Sequence, residues 1–92
     1  MDYAVPPYTR RVFVDVLLFG AAARELGGQQ VRVRTAPAPT AAEVLRELAL
    51  QHPALRRHAE AGRLAVNHAF AAPGREIREG DEVALIAFVS GG

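Results

Sequence analysis

At 92 residues, half of them hydrophobic and 23% charged, the chain reads as one small folded domain, too apolar for disorder and too short for a second core. Its net charge of +1 comes from basic residues scattered along the sequence, which argues against a nucleic-acid-binding face. Cysteine is absent and all 11 basic residues are arginine, which excludes disulfides, thiolate metal sites, sulfur carried on a side-chain thiol, and self-conjugation through lysine.

Residues 1–11 hold Pro6 and Pro7 without apolar periodicity and read as a flexible N-terminal extension. Arg10 and Arg11 ahead of an apolar stretch imitate a secretory signal, but Asp15 interrupts the stretch. Cleavage near Ala23 would also delete the first core strand, so a cytoplasmic protein is expected. No run reaches the roughly 20 apolar residues of a membrane span.

The β-branched and aromatic run 12–19 predicts a first strand, with Val12, Val14, Val16 and Leu18 on one face and Phe13, Asp15, Leu17 and Phe19 on the other. Asp15 marks the second face as the solvent side. Phe13, Leu17 and Phe19 are therefore candidate exposed apolar residues, the kind of surface that often meets a partner. Residues 21–26 are compatible with a short helix closed by Gly27 and Gly28. Residues 30–35 alternate cleanly, with Val31, Val33 and Thr35 inward and Arg32 and Arg34 outward, and this strand should pair with the first.

After the loop containing Pro37 and Pro39, Thr40 stands three residues ahead of Glu43 in the pattern of a capping box, and the main helix begins there. Ala41, Val44, Leu45, Leu48 and Ala49 form its apolar stripe, Glu43, Arg46 and Glu47 face water, and His52 with Pro53 ends it. Residues 55–61 could add another helical turn. Residues 64–67 predict a short strand, 71–79 a loop, and 83–89 a longer final strand entered through Gly80 and Asp81. The order strand, strand, helix, strand, strand is too short for repeated βαβ units and fits an α+β mixed sheet of four to five strands with one main helix across it. The last strand should lie parallel beside the first.

Candidate chemistry is sparse among the side chains. His52, His58 and His68 lack metal-ligand spacing and read as surface or loop residues. Glu43 and Glu47 lie on a solvated helix face. The acidic group Glu76, Glu79, Asp81 and Glu82 reads as a solubilising turn or as a rim that steers a basic partner. The ending Gly91, Gly92 is the most suggestive feature: two residues without side chains make a thin tail able to enter a narrow channel, so the reactive group is expected to be the terminal carboxylate.

Taken together, FGAAARELGG at 19–28, AVNHAF at 65–70, EGDEVALI at 79–86 and VSGG at 89–92 resemble the MoaD branch of the MoaD/ThiS ubiquitin-like sulfur carriers, over residues 12–92. The resemblance implies a β-grasp domain at 12–92 with a protruding diglycine tail. It implies that Gly92 is adenylated by an E1-like, MoeB-like activating enzyme that consumes ATP, then receives sulfur from a donor protein as a thiocarboxylate, with Gly91 completing the tail. No cofactor is expected on the chain itself. In the MoaD branch the tail donates sulfur to cyclic pyranopterin monophosphate within a heterotetramer with a MoaE-like large subunit. The family's partner surface falls on Phe19, Phe70 and Ile86, with Phe88, Val89 and Ser90 leading into the tail. Ala87 and Phe88 stand where the family often has two prolines.

Related carriers serve thiamine, cysteine or thiolated-tRNA synthesis. A ubiquitin-like protein tag and a β-grasp interaction module with an incidental ending are the two rival classes.

Overall fold

The computed structural model describes residues 11–87. Five strands, β1 (Val12–Leu17), β2 (Gln30–Thr35), β3 (Arg63–Val66), β4 (Ala69–Phe70) and β5 (Val83–Ile86), form one sheet in the order β2-β1-β5-β3-β4. Three helices accompany them: α1 (Gly20–Leu26), α2 (Ala41–Gln51) and α3 (Arg56–Ala61), the last preceded by a 3-10 turn at Pro53–Leu55. This is the mixed, ubiquitin-like β-grasp sheet expected from the sequence.

The hairpin of β1 and β2 is antiparallel and runs from Val12 opposite Thr35 to Leu17 opposite Gln30. β5 lies parallel to β1, with Val16 beside Val83 and Leu17 beside Ala84. A parallel neighbour requires a crossover, and α2, α3 and the β3–β4 hairpin occupy that connection. β5 is central, and its nearly continuous apolar sequence, with Val83, Ala84 and Leu85 all buried, matches that position.

Two strands end earlier than the apolar runs suggest. β1 stops at Leu17 because the chain turns through Phe19 into α1, where Gly20 takes φ 56°; Leu18 still donates to the Gln29 carbonyl at 2.8 Å. β5 closes at Ile86 because its partner β3 begins at Arg63, which is paired with Ile86. The two-residue strand β4 was not anticipated, being too short to carry a periodic signal. Phe88, Val89, Ser90, Gly91 and Gly92, and the extension before residue 11, lie outside the described residues.

The inward face follows the expected alternation. Val16, Leu18, Val31, Val33, Leu64, Val83 and Leu85 pack against Val44 and Leu48 of α2 and against Leu55 and Ala59, all buried. Each valine or leucine among them contributes about 1.5–3 kcal/mol on leaving water. The capping box forms as read: the Glu43 amide donates to Thr40 Oγ1 at 3.2 Å, and the Thr40 amide donates to Glu43 Oε1 at 2.8 Å. Those bonds hold the Glu43 carboxyl below its ordinary range, the backbone bond contributing most. Gly27 closes α1 in the left-handed region at φ 82°.

A candidate docking surface at the end of the sheet

The helices cover one face of the sheet and leave the other open. Strand register fixes what stands on the open face: Leu17, Ala84, Ala65 and Phe70 fall in one row across β1, β5, β3 and β4. In the next row Ile86 faces Arg63. Small residues in the middle of the first row and large ones around them create a hollow of about 400 Å³, lined by Phe19, Ala65, His68, Phe70, Glu82, Ala84 and Ile86. Phe19 is 58% exposed and Phe70 52%, which leaves an apolar surface facing water. The three residues named from the resemblance therefore converge on one surface, although they are 16 or more positions apart in sequence.

Phe13, the other aromatic on this face, does not join them. It stands beyond Asp15 at the far end of β1, with the Arg32 guanidinium 5.2 Å from its ring centre. Arg32 Nε also donates to Asp15 at 2.9 Å, which lowers the Asp15 carboxyl and raises the guanidinium. Leu17 is half-buried beside Ala84.

The wall of the hollow is built by the β3–β4 turn. Asn67 and His68 both take positive φ, 52° and 71°, as a two-residue primed hairpin turn demands. The Asn67 amide donates to the Glu82 carbonyl at 2.8 Å, and its side-chain oxygen accepts from the Glu82 amide at 2.9 Å. His68 Nε2 lies 2.7 Å from the Glu82 carboxylate at the margin of the hollow. Arg63 covers Phe70, its guanidinium carbon 4.7 Å from the ring centre. The docking margin thus carries both signs of charge around an apolar centre.

The acidic group splits under this geometry. Asp81 is structural: it accepts from the Arg78 amide and Arg75 Nη1, each at 2.7 Å, and from Asn67 Nδ2 at 2.8 Å. These bonds, the Arg78 amide first, pull its pKa from 3.8 to about 2. Glu82 belongs to the hollow. Glu76 lies 3.9 Å from the exposed Arg78. The histidines also separate: His68 is in an exposed turn and His52 caps α2, but the His58 side chain is only 14% exposed and lies 3.2 Å from Glu25. Packing of α3 near α1 puts it there, which its sequence context did not indicate. No group of three or more metal-ligating residues occurs among the described residues, and no helix there is long and apolar enough to cross a membrane.

The described tail root is close to the hollow in sequence: Ile86 lines it, and Ala87 is the last residue described. The family model described as the ThiS family matches residues 16–92, from the last two residues of β1 to the VSGG ending. The chain belongs to the ThiS family. Among solved structures, this ThiS-family chain is similar to SAMP1 of Haloferax volcanii at 30% identity and TM-score 0.73, over 88% of this chain and 100% of that one. It also matches a putative molybdopterin converting factor subunit 1 of Pyrococcus furiosus at 17% identity and TM-score 0.70, over 85% and 99% of the two chains. A third match is a chain from the complex of molybdopterin-converting factor subunits 1 and 2 of Helicobacter pylori, at 21% identity and TM-score 0.60, over 88% and 100%. No curated protein matches the sequence. The ThiS/MoaD assignment made from the motifs thus stands, with its ubiquitin-like fold.

Arg63, Ala65, His68 and Ala84 were missed as contributors to the surface. For Arg63 no local signal existed, since only register sets it opposite Ile86. The Asn67–His68 pair between two apolar segments was a legible turn signal.

Proposed function

We propose that this ThiS-family member is the sulfur-carrier subunit of a molybdopterin synthase. The observation that carries the reading is the convergence of Phe19, Phe70 and Ile86 on one open apolar surface at the strand that leads to the Gly91–Gly92 end. A partner seated there would receive the tail in its own active site.

In this reading the Gly92 carboxylate attacks the α-phosphorus of ATP on a MoeB-like activating enzyme, and pyrophosphate leaves. A persulfide on a donor protein then attacks the acyl carbon and AMP leaves, because an acyl phosphate is a far better electrophile than a delocalised carboxylate; a thiol cleaves the acyl disulfide so formed, releasing the thiocarboxylate and leaving a disulfide on the donor side. The thiocarboxylate that results passes sulfur to cyclic pyranopterin monophosphate on a MoaE-like large subunit. Phe88, Val89 and Ser90 thread the tail into the partner. Its acid, base and oxyanion donors would come from the partner, since Val89, Ser90, Gly91 and Gly92 offer no group suited to those tasks.

A native pull-down from the source cells, with intact-mass measurement of the bait, tests this. A large synthase subunit bound to bait in which one oxygen has been exchanged for sulfur supports the proposal; capture of a thiazole synthase, cysteine synthase or tRNA thiolase reassigns the pathway. The second reading, a protein modifier, draws on the 30% identity to SAMP1, a small archaeal modifier protein. Covalent ladders on denaturing gels that depend on Gly92 would favour it.

A further inference from the structure

The strand β2 lies at an edge of the sheet, where unpaired backbone groups ordinarily invite another strand. Here the end of α2 occupies that edge. The Arg34 amide donates to Gln51 Oε1 at 2.9 Å, and Gln51 Nε2 donates back to the Arg34 carbonyl at 2.7 Å. Those are the two bonds that one residue of a neighbouring antiparallel strand would exchange with Arg34. The second hydrogen on Gln51 Nε2 goes to Glu47 Oε1 at 2.8 Å, one helical turn back, which fixes the orientation of the amide. The next residue, His52, places Nε2 2.9 Å from the Arg32 carbonyl, so Nε2 carries the proton and donates. Arg32 and Arg34 are alternate residues whose backbone groups point away from β1, so Gln51 and His52 together imitate a short run of partner strand.

We propose that Gln51 and His52, aligned by Glu47, form a strand guard that closes the β2 edge against a second copy of this chain. The edge is suited to self-pairing. An antiparallel pair of β2 strands centred on Arg32 sets Arg34 of one copy opposite Gln30 of the other, avoiding a clash of like charges there. Each Arg32 keeps its own Asp15 at 2.9 Å, which neutralises the one arginine pair at the centre. On the opposite face Val31 and Val33 of the two copies would join into a continuous apolar row, both being buried under α2 in a single copy. What prevents the pairing is that Gln51 and His52 already hold three of the groups it needs, the Arg34 amide and carbonyl and the Arg32 carbonyl. The guard keeps the carrier monomeric and leaves the open sheet face to partners of different kind.

Sedimentation velocity on the full chain over a concentration series tests the guard. Gln51→Met keeps the length of the side-chain stem while losing three hydrogen bonds, and His52→Ala removes the fourth. The double variant should self-associate about tenfold or more tighter than the parent. Adding Arg34→Pro, which removes the outward amide at an edge position where proline is tolerated, should return it to monomer. A double variant that stays monomeric at concentrations where its circular dichroism matches the parent overturns the proposal, as does a dimer indifferent to Arg34→Pro. Hydrogen exchange on the parent gives a readout independent of variant folding: the Arg34 amide should be protected although it lies on an edge strand, and exchange at the free-peptide rate would equally overturn the guard.

Discussion

Asn67 Nδ2 donates to Asp81 Oδ1 at 2.8 Å, joining the β3–β4 turn to the turn that feeds β5. Together with the two bonds between Asn67 and the Glu82 backbone, it holds the wall of the hollow and the strand that leads to the tail in register. Asp81 also accepts from the Arg78 amide and from Arg75, so a single carboxylate organises residues 67–82. Asp81→Asn keeps the shape but removes the charge that these donors favour. We expect a lower melting temperature at neutral pH, and weaker partner binding through loosening of the Asn67–His68 turn.

Acid titration gives a second check on the same group. Its folded pKa, about 2, is depressed below the ordinary 3.8, so the folded state binds its proton later than the unfolded chain does. The stabilisation is therefore complete above about pH 4 and is lost as the pH falls toward 2. Thermal melts across that window should show the parent losing stability more steeply than Asp81→Asn. Equal slopes would remove Asp81 from the account.

The apolar surface predicts a separation of binding from folding. Phe19 and Phe70 are exposed, so aspartate at either should leave the melting temperature nearly unchanged, whereas Ile86 is half-buried on β5 and its aspartate variant should melt lower. Binding to the partner identified by pull-down should weaken by roughly 30-fold, on the order of 2 kcal/mol, as for a central interface anchor. Phe13→Asp, on the same sheet face but outside the hollow, is the control and should bind as the parent does. Titration calorimetry of the four variants decides this.

Thr40→Ala removes one half of the capping box of α2 while leaving the apolar stripe intact. The expected cost is about 1 kcal/mol, visible as a fall in melting temperature of about 4–8 °C for a domain of this size. Sulfur loading should persist at temperatures well below the melt, because no part of α2 contributes to the hollow.

Gly62 ties α3 to the end of β5. A Cβ there would stand 2.6 Å from the His58 carbonyl oxygen and 2.7 Å from that of Ile86, so Gly62→Ala must push the strand end away. Stability should fall by about 1–3 kcal/mol as in other overpacked sites, with loss of partner affinity since Ile86 moves. Gly28→Ala, whose Cβ would meet only the Gln30 carbonyl at 3.9 Å, should change neither.

The order of the four longer strands and the main helix, the Thr40–Glu43 cap and the inward residues of β1 and β2 were legible in the sequence, because each is written in local periodicity or in residues a few positions apart; the parallel placement of β5 followed from the mixed-sheet arrangement that this order fits. The motifs at 19–28, 65–70, 79–86 and 89–92 likewise named the family and two aromatics of the surface. Other features depended on what the fold brings near: Arg63 over Phe70, Asp81 as a three-donor acceptor, His58 largely enclosed beside Glu25, and Gln51 closing the edge of β2. Hydrophobic spacing along a chain dictates which face of an element is buried. It does not carry the register between strands distant in sequence, and it is that register which assembled the hollow and satisfied the polar groups around it.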